Sequence, residues 1–404
     1  MCWQSLPRII RGRLFSYPGQ RIRPPLRSPL AYRAALCYNQ RRFAVGLSYK
    51  MRPPGRRRIA REHNERDKPM TKDKSTVYAV LRMFLPILVL LGHAAVMYTP
   101  DGAVSPAAGS TFLSALAYYI YSFHMPLFFT LSGALWGYQV QRGKYRDAGR
   151  FLRTKAQRLL IPYFFFGIFI VAPVVAGFGF TQRNYGSYVL HGIFLSEDPR
   201  HLWYVLALFW VFVFSIGFRP LLEKIHPAVC LFLSLAILYG SQYLPRSVFQ
   251  IQAALYYQFF FLAGYYLDRF FDRFYALIRK CRWLPFLALP ALLLRFFLPY
   301  TTPTVLLYNF LGIFMAFSVV TSCACAPLRK LRFFRMLERD SFGLYLFHPM
   351  LIYILFYYLA PLGMTPWLLF PLAAVSSGVL SVGLTELLRA CKCGILIGEP
   401  PAKR

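Results

Sequence analysis

The feature that most limits what this chain can fold into is a series of long apolar runs. Met83–Leu91, Leu159–Val175, Trp203–Phe218 and Val305–Val320 carry no Asp, Glu, Lys or Arg. A bilayer core about 30 Å thick needs roughly 20 apolar residues per helical crossing. Backbone polar groups find no water there, so such runs become helices that pair their own N–H and C=O groups. The composition agrees: 57% of the residues are hydrophobic and 15% charged, against roughly a quarter charged in soluble domains. The expected fold class is an all-α integral membrane protein.

Ten spans are expected, at 76–97, 113–138, 157–180, 202–218, 227–243, 252–268, 284–299, 303–324, 341–360 and 366–388. Together they form one helical bundle over residues 75–390. Several are interrupted by proline (Pro86, Pro126, Pro162, Pro290, Pro349), which neighbouring helices compensate inside a bundle. Residues 1–74 are Arg- and Pro-rich and contain no span. The expectation there is a disordered basic extension, with an alternative start at Met70. Residues 391–404 are expected to be a short tail.

The net charge of +32 does not indicate nucleic acid. Outside the first 74 residues the basic side chains sit in short loops, and they are one-sided. Loops after even-numbered spans, with the C-terminus, hold 23 Lys and Arg, while the opposite loops hold four. That asymmetry reports orientation and places both termini in the cytoplasm. The partner it predicts is the lipid bilayer.

Cys323/Cys325 and Cys391/Cys393 have C-x-C spacing, without the C-x2–4-C or neighbouring His ligands of a zinc site. Reduced structural thiols and no metal are expected. No Walker A, HExxH, G-x-S-x-G or G-x-G-x-x-G motif is present.

Ionisable residues inside spans are costly and therefore candidates for function. Arg82 and His93 lie eleven residues apart in the first span. That is three turns plus about 20°, so they share a helix face about 16 Å apart along the axis. Such a face points into the bundle or a wet cavity, unless each side chain snorkels to its own interface. His124 lies in the second span. Ser341, Tyr345 and His348 fall at i, i+4 and i+7 in the ninth and stack on one face, where they serve as interhelical glue or as chemistry. Asp268 and Glu386 sit at span ends, which suits capping and ion pairing. Lys155 and Arg158, at i and i+3, lie where a loop meets the membrane. They suit an anchor or a phosphate-bearing ligand.

These stretches, in order, resemble the acyltransferase 3 family, and most closely its fucose 4-O-acetylase-like, polysaccharide O-acetylating members. VLRMFLPILVLLGH carries Arg82 and His93, and FHMPLFFTLSG carries His124, Pro126, Ser132 and Gly133. Lys155 and Arg158 precede a Pro-Tyr, HLWYVLALF carries His201 and Trp203, FFLAGYYL carries Gly264, and DSFGLYLFHP carries Ser341, Tyr345, His348 and Pro349. Two positions depart from the family pattern. Ala79 stands where many members have Asp, and Lys155 where many have Arg, which weakens a bidentate phosphate grip.

The resemblance implies an enzyme of the bacterial inner membrane. It implies transfer of an acyl group, acetyl by preference, from cytoplasmic acyl-CoA to a hydroxyl of a surface or lipid-linked glycan. Acetyl-CoA would be a donor substrate, with no permanently bound cofactor. His93 is then the expected general base or acyl carrier, Arg82 and His124 its catalytic companions, and Lys155 and Arg158 the donor-binding pair. Trp203, Ser341, Tyr345 and His348 are expected in acceptor or structural roles. With no further domain expected after the tenth span, transfer is completed in the membrane domain or by a partner. The alternative of a different class is a glycan or lipid flippase without chemistry. The acceptor sugar, the acyl group and the oligomeric state are not legible in the residues.

Overall fold

The computed structural model describes residues 72–400, apart from 105, 144–146, 246–248, 282–283, 300 and 323–325. The chain divides into two units, Met1–Asn64 and Glu65–Arg404. The first unit, like Cys323 and Cys325, lies outside the described residues, as does the expected extension up to residue 71.

The described residues are helical, without a strand among them. The main helices are α1 (Lys72–Ala95), α2 (Thr111–Tyr121), α3 (His124–Gln141), α4 (Ala148–Phe166), α5 (Trp203–Gly217) and α6 (Pro227–Ser241). They continue with α7 (Ile251–Arg269), α8 (Leu284–Leu292), α9 (Thr302–Ser322), α10 (Arg332–Leu359) and α11 (Pro366–Ala390). Among the described residues, seven helical stretches are long and apolar enough to cross a membrane: Lys74–Tyr98, Thr111–Gln141, Ala148–Gly177, Arg200–Gly217, Thr302–Ser322, Arg332–Leu362 and Pro366–Ala390. These coincide with seven of the ten expected spans. Of the other three, α6 is apolar but 15 residues long, α8 has nine, and α7 carries Gln252, Gln258, Asp268 and Arg269. Phe169, Leu190, Phe232, Val375 and Val379 are exposed. An apolar outer surface of this kind needs lipid around it.

Boundaries differ from expectation where a specific bond explains the shift. α1 starts at Lys72, inside the segment read as an extension, because Lys74 pairs with buried Asp268 at 2.5 Å. Tyr78 and Gln141 donate to the same carboxylate, at 2.8 and 3.0 Å. Glu386 likewise pairs with Arg389 at 2.9 Å and with Arg339. The second span is two helices. Pro126 has no N–H, and its ring would strike the carbonyl four residues back, at Ser122. The chain breaks there, and α3 begins at His124. The C-terminal segment is docked: Ile397 is buried, Arg158 Nε donates to the Gly398 carbonyl at 3.0 Å, and Arg389 binds Glu399 at 2.5 Å.

Between helices in lipid the hydrophobic effect gives little drive, so close packing decides. α3 and α7 cross with their backbones touching. A Cβ at Gly133 would land in the Phe261 carbonyl, and one at Gly264 in the Thr130 carbonyl. Around this crossing Trp136 packs on Phe261 and Tyr265, with ring centres 5.5 and 5.2 Å away. Phe129 stacks on Tyr257 at 4.4 Å.

α1 and α10 run parallel. Arg82 Nη1 reaches Glu338 at 3.5 Å near one end of the pair, and His93 meets His348 further along. The second pair lies about 16 Å along α1 from the first.

Candidate active site

Four of the chain's seven histidines come together around α1, α3, α5 and α10. The ring of His93 is 5.1 Å from that of His348. Tyr121 lies 6.0 Å from His93 and 4.7 Å from His124, centre to centre. Tyr345 lies 6.4 Å from His348 and 5.7 Å from His201. His124, His201 and His348 are buried and His93 is half-buried.

Backbone carbonyls fix three of these rings. A carbonyl only accepts, so the nitrogen facing it carries the proton. His124 Nδ1 donates to Ile120 at 3.0 Å, and His348 Nδ1 donates to Leu344 at 2.7 Å. His201 Nε2 donates to Leu346 at 3.1 Å. The Ile120 carbonyl lies at the break, where it accepts from the Phe123 N–H at 3.3 Å, and the His124 ring adds a second bond to it across the break. His348 Nε2 and His201 Nδ1 are buried without a partner. Tyr345 Oη donates to the His201 carbonyl and so ties α10 to the start of α5. Among the four, His93 alone bonds a side chain: its Nδ1 lies 3.2 Å from Tyr121 Oη.

Tyr121 also lines a cavity of about 660 Å³ bounded by α3, α5, α7 and α9. Trp203, Gln242, Gln250, Asn309 and Arg295 stand in the same wall. Trp203 lies 5.4 Å from the Tyr257 ring, and Thr302 donates to Gln242 at 2.8 Å. Phe249 and Gln250, both at left-handed φ near 50°, are held by bonds to Leu195 and Ser196, the latter from Gln250 Nε2 at 2.8 Å. Strain of this kind costs about 1–3 kcal/mol per residue and persists where surroundings enforce it. Amide, hydroxyl and aromatic groups around an open volume suit a polar, ring-shaped ligand.

The expected site residues are therefore only partly assembled. His93, His124, Tyr345 and His348 meet, and Trp203 reaches the adjoining cavity. Arg82 is about 16 Å from His93 and bonds Glu338. Ser341 Oγ turns back to its own helix, donating to the Glu338 carbonyl at 3.1 Å. Lys155 Nζ lies 3.7 Å over the Phe212 ring, and Arg158 is exposed beside the tail. Tyr121 and the role of His201 escaped the sequence. His201 sits in a quoted motif, but Tyr121 has no local signal beyond lying three residues before His124. No group of three or more His, Cys, Asp or Glu residues among the described residues is arranged to hold a metal.

A family model described as an acyltransferase domain matches residues 78–386. No curated protein and no solved structure matches the chain.

Proposed function

We propose, from the premise that the chain belongs to the acyltransferase 3 family, that it carries an acyl group, acetyl by preference, from cytoplasmic acyl-CoA to a hydroxyl of a cell-surface or lipid-linked glycan. The protein is a multi-pass membrane acyltransferase. Donor, acceptor and membrane are the proposed part. The Lys and Arg asymmetry orients the Lys72 end of α1 to the cytoplasm and the His93 end outward, in a bacterial inner membrane.

The observation that carries this reading is the bond between His93 and Tyr121, because Tyr121 is also a wall of the cavity. A hydroxyl seated in the cavity beside Tyr121 has a base within one side chain. As the acceptor oxygen attacks the thioester carbonyl, its O–H proton passes to His93, directly or through the Tyr121 hydroxyl. The C–S bond then breaks, and the departing sulfur takes the proton and leaves as the free CoA thiol. Positioned general-base catalysis contributes roughly 10²–10⁴-fold. His348 supports the His93 ring by contact. His124, Tyr345 and His201 hold the helices that present it. Lys155 and Arg158 stand on the donor's side and are assigned to its phosphates. Arg82 braces α1 against α10 through Glu338 on the donor's route.

The test uses purified protein, wild type and His93→Ala, with acetyl-labelled acetyl-CoA and membranes of the producing cell. Label in surface polysaccharide with wild type, lost in the variant, is the expected result. Full transfer by His93→Ala would remove His93 from the chemistry. Absence of CoA release and of label with both folded proteins would return the flippase reading.

A further inference from the structure

Asn309 interrupts a largely apolar stretch of α9, seven residues in from Thr302 and about 10 Å along the axis. An amide inside a membrane helix is costly unless it meets protein or a wet cavity. Asn309 is 3% exposed and lines the cavity beside Tyr121. Two other amides of that wall are partly engaged by protein. Gln250 Nε2 donates to the Ser196 carbonyl at 2.8 Å, and Gln242 Oε1 accepts from Thr302 at 2.8 Å. The Asn309 amide has no hydrogen-bond partner among the described residues. Folded proteins rarely leave a buried polar group in that condition, so its partner comes from the cavity itself. The next turn of α9 fixes its place. A Cβ at Gly312 would overlap the Phe123 side chain, so α9 closes tightly on the break before α3. Tyr121 and Ser122, just before Phe123, stand in the cavity wall. A carboxamide presents an N–H donor and a carbonyl acceptor side by side, whichever way the group is turned. Two neighbouring sugar hydroxyls complement it, one accepting and one donating; a single hydroxyl leaves half of it bare.

We infer that Asn309 selects the acceptor: its carboxamide binds a pair of adjacent hydroxyls on a sugar whose ring lies in the cavity with Trp203. This rests on the acyltransferase reading of the same cavity, where the sugar is the acceptor. Asn309 takes no part in the proton transfer assigned to His93.

Direct binding to the purified full chain in nanodiscs, titrated by saturation-transfer NMR, tests the assignment. The probes are methyl galactoside, methyl glucoside and the 3-deoxy counterpart of each. Removing the 3-hydroxyl leaves the other hydroxyls in place but no two of them adjacent. At least one parent glycoside should bind roughly tenfold tighter than its 3-deoxy counterpart, as the loss of a hydrogen-bonded pair implies. Asn309→Leu keeps nearly the same shape and should abolish that advantage. Its thermal midpoint without ligand should be no lower than that of wild type, because the amide has no protein bond to lose. A structural asparagine would lower it. No binding of any probe, an advantage that survives Asn309→Leu, or a variant that melts earlier or does not fold overturns the inference. CoA release from acetyl-CoA, measured on the same wild-type sample with each glycoside, keeps the two levels apart. Release without an Asn309-dependent preference sinks the diol inference and leaves the acyltransferase reading. A preference with no release in the presence of any glycoside sinks that reading and leaves the diol site.

Discussion

The rings of His93 and His348 meet edge to face with centroids 5.1 Å apart, on two helices that run parallel and are joined again by Arg82 and Glu338. Two contacts on parallel helices fix both their rotation and their register, since turning either helix by one residue would separate both pairs. The His93 ring is therefore placed by α10 as much as by α1.

His348 is accordingly a positioning residue. Its Nδ1–H is committed to the Leu344 carbonyl, and its buried Nε2 has no partner. In His348→Gln, kcat should fall roughly ten- to a hundredfold, a loss of about 1.4–2.7 kcal/mol of transition-state stabilisation. Acceptor KM should move little, because His348 does not line the cavity. Steady-state kinetics decide it: a rise in KM with kcat intact would assign His348 to acceptor binding.

Tyr121→Phe isolates one hydroxyl. The ring still packs on His124 at a centre distance of 4.7 Å, so the fold should be kept. What is lost is the hydrogen bond to His93, worth about 1 kcal/mol or somewhat more, which predicts a drop in kcat of about tenfold. Transfer that matches wild type would show that the acceptor reaches His93 without Tyr121.

Much of this arrangement was visible in the sequence, and the reason is physical. Apolar runs and basic loops are properties of single segments, so helical class and most spans follow from composition. The eleven-residue spacing correctly put Arg82 and His93 on one face of α1. What periodicity cannot supply is the partner across the bundle. Glu338 answers Arg82 from 256 positions away, and Leu346 answers His201 from 145 away. Gly133 and Gly264 each stood in a quoted motif, yet nothing local says that they face one another. Ser341 shared a predicted face with His348, but its short side chain is satisfied within its own turn. The break before His124 was legible through Pro126; that the imidazole would then bond the Ile120 carbonyl, beside the Phe123 N–H, was not.

The reciprocal glycines carry a packing prediction. A β-carbon at either position falls inside a carbonyl of the other helix, which is backbone and cannot swing aside. Gly133→Ala and Gly264→Ala should each destabilise the bundle by at least the 1–3 kcal/mol typical of overpacking. Larger residues at either site should prevent recovery of monodisperse protein. Fluorescence-detected size exclusion with a heating series reads this directly. A variant with an unshifted midpoint would mean that α3 and α7 do not touch at these residues.

The loop that supports the cavity wall predicts a pH dependence. Glu197 accepts from Arg183 Nη2 at 2.7 Å and lies 3.3 Å from His191 Nδ1. The Arg183 bond, then the one to His191, holds its carboxyl below the usual carboxylate range. For its neighbour Asp198, burial pushes the carboxyl upward despite Arg200 beside it. A lowered carboxylate contributes stability that is present above its ordinary pKa of about 4.3 and is lost as pH falls through the native value. Asp198 has the opposite sign, since protonation relieves its burial. Comparing wild type with Glu197→Gln leaves Asp198 common to both proteins. The wild-type advantage in thermal midpoint should therefore be full near neutrality and shrink towards zero as the medium is acidified below about pH 4. It should also shrink with added salt, because the pair is solvent-facing and screened. Leu195 and Ser196, just before Glu197, hold Phe249 and Gln250, so loss of this clamp should reach the cavity. Acceptor binding should weaken over the same pH interval in wild type, and a midpoint difference that stays constant with pH would show that Glu197 is not the group responsible.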